Sequence, residues 1–212
     1  MHLIRRLLGP PPAAQPEHDG PPAGVPQGAH ATHLAMASAL TFGLAARDAR
    51  LGFVEHCARV AELAGRVAAE LDVPAGDRDL LDAAARLHEI GILSVPAGIL
   101  ESPRRLVPED RALIREHASI GAEIVRATHP ERTARLIEHQ YTDFAQLRQV
   151  FADDLDLLLA GILRAADVFD AVTHPRPYQD RLRDTHRERI FVQGSGIRFH
   201  PQAVEVLLHV EA

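Results

Sequence analysis

Apolar residues recur along most of this chain at intervals of three and four, the spacing that lines up one face of a helix. Leu34, Leu40 and Leu44, with interleaved alanines, predict a helix over 31–49. A second, from about Phe53 to Leu71, carries the stripe Val60, Leu63, Ala64 and Val67 and is stopped by Pro74. Leu80, Leu81, Ala84, Leu87 and His88 mark a third, from about Asp77 to Glu89, which Gly91 and Pro96 bring to an end. Pro108-Glu109-Asp110 opens a fourth with proline and acidic residues in its first turn, as the helix dipole favours. Its inward side is read as Leu113, His117, Ile120, Gly121 and Ile124. A fifth, from about Glu131 to Tyr141, turns Leu136, Ile137 and Gln140 inward with His139 close by. A sixth, from about Asp154, is apolar through Leu155, Leu158, Leu159, Ile162 and Leu163 and then meets acid at Asp167 and Asp170. The last starts at Pro201 and runs through Val204, Val206, Leu207 and Leu208. Residues 91–108 read as a loop, while Ile190 to Phe199 around Gly194-Ser195-Gly196 fits either a short hairpin or a connection between helices.

Composition sharpens this to an all-α chain. Hydrophobic residues make up 46% but aromatics only 4%, so alanine and leucine must supply a core of helices packed through small and medium side chains. From Gly9 to about His30 large apolar residues are almost absent, and such a stretch cannot offset the entropy of ordering it. The expected organisation is a disordered Pro/Gly-rich tail over 1–30 and one helical domain over 31–212. A net charge of −6 and a pI near 6.1 exclude a nucleic-acid polymer as partner, because that binding needs basic charge. No apolar run reaches the roughly 20 residues of a membrane span, and Arg5 and Arg6 interrupt the apolar opening. The single Cys57 forbids an intrachain disulfide and suits a reducing, cytoplasmic setting.

The candidate chemistry centres on His88-Glu89. Neighbouring positions on a regular helix cannot both face a core, so burying the pair requires the helix to end there and something to compensate the two polar groups. A divalent cation is the simplest such partner, since imidazole nitrogen and carboxylate oxygen can share one ion. His56 falls one turn before Val60 on the core side of its helix, and taken alone it is an ordinary core histidine. Together His56, His88, Glu89, His117, His139 and Asp167 come from five predicted helices, each on or beside an apolar face, and helical bundles build metal sites in this way.

The same segments resemble the HD-GYP branch of the HD superfamily, metal-dependent phosphodiesterases associated with cyclic di-GMP. The resemblance runs from about Gly52 to the C-terminus through His56-Cys57-Ala58-Arg59-Val60, Leu87-His88-Glu89-Ile90-Gly91 with Val95-Pro96, Glu116-His117 followed by Gly121, and Glu138-His139. Its most specific block is Ala166-Asp167-Val168-Phe169-Asp170-Ala171, leading to Arg176-Pro177-Tyr178. The resemblance implies an HD-type bundle of about seven helices. It also implies a site for one or two divalent ions drawn from Fe, Mn, Zn or Ni. His56, His88, Glu89 and Asp167 would hold one ion, and His117 with His139 a weaker second one bridged by Glu89. Arg176 would bind the substrate's phosphate. The nucleophile would be metal-bound water, with no separate catalytic protein base.

Several departures accompany the match. Glu89 stands where the family has Asp, Ile92 replaces the lysine that follows the glycine, and a family histidine pair is reduced to His139-Gln140. The Gly-Tyr-Pro signature is absent at Tyr141-Thr142-Asp143-Phe144, Gly52 stands where some members place a glutamate ligand, and Gln179 replaces a basic residue. The expectation is therefore a divergent metal-binding domain in cyclic di-nucleotide signalling, with weak or lost phosphodiesterase activity. The alternatives are a non-catalytic scaffold binding a nucleotide or a protein partner, and an HD hydrolase of another phosphate ester.

Overall fold

Prolines punctuate the helices of the computed structural model, which describes residues 52–101, 104, 107–174 and 184–211. Pro74, Pro96 and Pro130 stand immediately before α2 (Ala75–Leu87), α3 (Ala97–Leu100) and α5 (Glu131–Glu138). Pro108 and Pro201 open α4 (Pro108–Arg126) and α9 (Pro201–Val210). At those positions the missing N–H costs nothing, because the first helical donors have no intrahelical partner. The remaining elements are α1 (Phe53–Glu70), a 3-10 turn (Ile90–Ser94), α6 (Phe144–Val150), α7 (Asp154–Thr173) and α8 (Asp184–Gly194). The side chain of Asp153 caps α7 by accepting from the N–H groups of Leu155 and Asp156 at 2.9 and 3.0 Å. Asp110 likewise accepts from Val107 N–H at 3.0 Å at the start of α4.

The six helices expected within the described residues are present, and the described residues are all-α. The expected tail, the helix over 31–49 and Arg176 lie outside the described residues. Three short elements, α3, α6 and α8, occupy stretches for which the hydrophobic pattern predicts no helix. Neither strand of the hairpin alternative forms: Ile190 to Gly194 ends α8, and Ser195 meets Phe199 through a single bridge. Of that apolar run Phe191 is buried, Ile190 is half-buried against the core and Val192 is 57% exposed.

Helix α7 is the hub, touching α1, α2, α5, α6, α8 and α9. It is apolar on nearly every side, as a helix surrounded by others must be. On α4 the inward face is rotated from the expected one. His117, Ala118, Gly121, Ala122 and Val125 are buried, whereas Ile120 is 37% exposed. The cause is close approach. A side chain at Gly91 in the 3-10 turn would place Cβ 1.9 Å from the carbonyl oxygen of His117, so turn and helix meet backbone to backbone through small residues. Gly161 plays the same part on α7, where a Cβ would lie 2.3 Å from that of His200. Among the described residues no helix is long and apolar enough to cross a membrane.

Candidate metal centre

Helix α2 stops at Leu87, which is what lets two adjacent polar residues turn inward. His88 caps the helix in αR geometry, and Glu89 then breaks away at φ −94° and ψ 3° into the 3-10 turn. Both are buried, at 0% and 5% exposure. His88 Nδ1 lies 2.7 Å from the carbonyl oxygen of Ala85, so it carries the proton and donates, leaving the Nε2 lone pair to face the interior. His56 enters from the first turn of α1, its Nδ1 donating to Asp170 Oδ2 at 2.6 Å and its Nε2 again pointing inward. Asp167 comes from the hub helix.

These four side chains converge. Each of His56, His88, Glu89 and Asp167 offers one atom, and the four atoms all lie within 4.8 Å of one another. His56 Nε2 is 3.3 Å from His88 Nε2, 3.2 Å from Asp167 Oδ1 and 3.9 Å from Glu89 Oε1. His88 Nε2 is 3.8 Å from Asp167 Oδ1 and 3.9 Å from Glu89 Oε1. Bonds of about 2.1 Å to one ion separate neighbouring ligands by roughly 3.0 to 4.2 Å, so the donor set and its spacing fit a first-row divalent cation.

The electrostatics ask for positive charge at the same point. Burial opposes protonation of His56, but its hydrogen bonds to Asp167 and Asp170 outweigh burial and hold its pKa above the usual value. His88 lies well above its usual value: against the cost of burial stand Cys57, Asp167 and Glu89. Burial pushes Asp167 up, yet the two histidines bring it well below the normal carboxylate range. These shifts share one cause, a surplus of negative charge around the two inward nitrogens, which a bound cation would neutralise.

The remaining expected ligands are placed differently. His117 Nε2 is 3.3 Å from Glu89 Oε2, so it joins the cluster through the far oxygen of Glu89. That oxygen and His117 Nδ1 are buried without a hydrogen-bond partner. His139 turns away. Its ring packs edge-on against Phe151 at 5.7 Å, and Nδ1 lies 3.5 Å from Thr142 Oγ1. The neighbouring Gln140, 2% exposed, is the residue of that turn that faces His117 and His88.

Two parts of the site escaped the sequence reading. Asp170 holds His56 in place and is itself held by Arg59, whose Nε and a terminal nitrogen donate at 2.6 and 2.9 Å. Although burial raises it, His56 and Arg59 lower the pKa of Asp170 to about 2. The available signal was spacing: Asp170 is one turn beyond Asp167, and Arg59 one turn beyond His56. The second part is Arg164, 8% exposed, one turn before Asp167. Its guanidinium lies 6.0 Å above the Tyr141 ring and 3.8 Å from Asp143 Oδ1, and its Nε has no hydrogen-bond partner. Tyr141 in turn packs edge-on against His117 at 5.6 Å, which sets a buried cation beside the cluster.

Comparison with known proteins agrees with this architecture. A family model described as HD domain matches residues 35–202. The chain is 30% identical over 160 residues to the 3'3'-cGAMP-specific phosphodiesterase 2 of Vibrio cholerae, covering 72% of this chain and 30% of that protein. It is 30% identical over 164 residues to a cyclic di-GMP phosphodiesterase of Thermotoga maritima, covering 74% and 44%. It is 28% identical over 160 residues to the cyclic di-GMP phosphodiesterase response regulator RpfG of Xanthomonas campestris pv. campestris, covering 73% and 42%. The chain thus spans less than half the length of each of these relatives.

Proposed function

Since the chain belongs to the HD domain family and resembles its HD-GYP phosphodiesterase branch, we propose that it is a divergent metal-dependent phosphodiesterase domain of cyclic di-nucleotide signalling, with weak or lost activity. The observation that carries this reading is the convergence of His56, His88, Glu89 and Asp167 on one point inside the bundle. When bound there, a divalent ion supplies Lewis acidity toward a phosphoryl oxygen and makes a water acidic enough to attack near neutral pH. The chain's residues do the rest. Asp170 and the Ala85 carbonyl fix the two imidazoles with Nε2 inward, so little reorganisation is needed on binding. Arg164, buried over Tyr141, supplies a fixed positive charge near His117, and the resemblance assigns a phosphate of a cyclic di-nucleotide or another phosphate ester to Arg176.

Weak activity follows from what is missing. Ile92, 2% exposed and packed in the core, stands where the resemblance implies a lysine that would help neutralise the scissile phosphate. Losing one such electrostatic contact costs on the order of 10²- to 10³-fold in rate. The same replacement favours the second reading, a scaffold that keeps the fold and binds a nucleotide or a protein.

The test is hydrolysis of cyclic di-GMP, 3'3'-cGAMP and a generic bis-aryl phosphate by protein reconstituted with Mn²⁺ or Fe²⁺. Metal-dependent turnover of a cyclic di-nucleotide that disappears in His88→Ala is the expected result. Turnover of the aryl ester alone moves the protein to the broader class of HD hydrolases. Less than a tenth of an equivalent of metal after reconstitution leaves only the scaffold.

A further inference from the structure

The far side of the cluster does not match the near side. Glu89 Oε2 and His117 Nε2, 3.3 Å apart, have the spacing of two ligands on one ion, and the next side chain in reach is Gln140. Its amide nitrogen is 3.0 Å from the backbone carbonyl oxygen of His88 and 3.3 Å from His117 Nε2. The first contact fixes the amide's orientation, because only its NH₂ end can face a carbonyl oxygen at that distance. The second N–H is directed toward His117 Nε2, 3.3 Å away, which accepts it in the tautomer that keeps the ring proton on Nδ1. Glu89 Oε2 is left without a donor, and Gln140 Oε1 points to no partner, as observed.

A cation entering between Glu89 Oε2 and His117 Nε2 would meet the positive end of the Gln140 amide and a nitrogen lone pair already engaged. Rotating the amide to offer Oε1 breaks the bond to His88 and brings two acceptor oxygens face to face across 3.0 Å. The His139 side chain makes no hydrogen bond with Glu89, His117 or Gln140: its ring packs edge-on against Phe151 and its Nδ1 lies 3.5 Å from Thr142 Oγ1. Two protein ligands and an amide proton do not make a second metal position.

We infer that this centre takes a single divalent ion, held by His56, His88, Glu89 Oε1 and Asp167, and that Gln140 is the positioning residue that closes the second position. Glu89 is then a terminal ligand and not a bridge. This rests on the metal-site reading above, and it concerns the number of ions, not turnover.

The experiment loads the full chain with Mn²⁺ at a range of free concentrations, counts bound ions by elemental analysis, and records the electron paramagnetic resonance spectrum. The wild-type protein is expected to saturate at one equivalent with the spectrum of an isolated ion. Gln140→His should admit a second equivalent and give an exchange-coupled spectrum. If that variant does not fold, Gln140→Glu, of the same size but with an oxygen in every rotamer, is expected to do the same. A wild type that binds two ions overturns the inference, as does a folded pair of variants that both stay at one. Failure to bind any ion overturns it together with the metal-site reading. One bound ion with no hydrolysis of any phosphate ester removes the enzymatic proposal and leaves this inference standing.

Discussion

Two halves of one cluster, a few ångströms apart, have been treated differently by this sequence. On the near side, His56 and His88 are each gripped from behind, by Asp170 and by the Ala85 carbonyl, and present their free nitrogens to Asp167 and Glu89 Oε1. On the far side, Glu89 Oε2 and the Nδ1 of His117 have no support, and an amide stands where another ligand would be needed. A metal site is made by its supporting bonds as much as by its ligands. The near half has both kinds of residue, and the far half has kept only a remnant of one.

The largest expected effect comes from cutting the near half. His88→Ala and Asp167→Ala should each weaken ion binding by roughly 10³-fold or more, since one of four ligands is lost along with charge balance. Helical circular dichroism should remain close to the wild type, and elemental analysis gives the answer. A collapse of helical content in both would mean that these residues hold the fold and not an ion.

Asp170→Asn comes next. It keeps the size of the side chain but weakens the grip on His56 and removes the ion pair with Arg59, so affinity should fall about 10- to 100-fold. An unchanged dissociation constant would show that the pair only joins α1 to α7.

A smaller effect, opposite in sign for the two states of the protein, comes from pH. His56 and His88 are held above their usual pKa without metal, so their contribution is complete below the unfolded value near 6.5 and is lost as pH rises through the folded value. Asp170, held at about 2, contributes above its usual range and loses that contribution as pH falls toward 2. Chelated protein should therefore lose stability from neutral pH upward. Metal-loaded protein should not, because the ion replaces the protons, and its affinity should instead fall as the solution is acidified. Urea midpoints at several pH values, with and without chelator, distinguish the two.

The smallest effect belongs to His139. Its ring faces Phe151, so His139→Ala should change ion affinity by less than about threefold and stability by about 1 kcal/mol or less. A tenfold loss of affinity would return it to the cluster.

How far this architecture was legible depended on length and on context. Helices with three or more turns of apolar periodicity, such as α1 and α7, were readable with their ends, because caps and prolines are local chemistry. Seven-residue α6 buries only Phe144 and Leu147, and the described apolar side chains of α8 meet the core at Phe191 and half-buried Ile190, too few points to distinguish a helix from a loop. The rotation of α4 was hidden for another reason: Gly121 faces inward because the backbone of Gly91 touches it, the small Ala118 and Ala122 beside it are buried with it, and hydrophobicity ranks such residues below the exposed Ile120. In the site, His56, His88, Glu89 and Asp167 were visible by type and position. The choice between His139 and Gln140 depended on how the chain leaves α5, at the turn where His139 caps the helix in a non-helical conformation. No residue type announces that turn.

The residues of the near half lie far apart along the polypeptide, His56 in the first described helix and Asp167 near the end of the hub. An ion joining them would act as a cross-link around a loop of more than half the chain, in a protein whose lone Cys57 can form no such bond within it. In the chain-entropy picture a clasp of that span is worth about 4 to 5 kcal/mol, comparable to a small domain's whole margin against unfolding. Metal supply would then govern how long the molecule survives, whether or not it ever turns over a substrate.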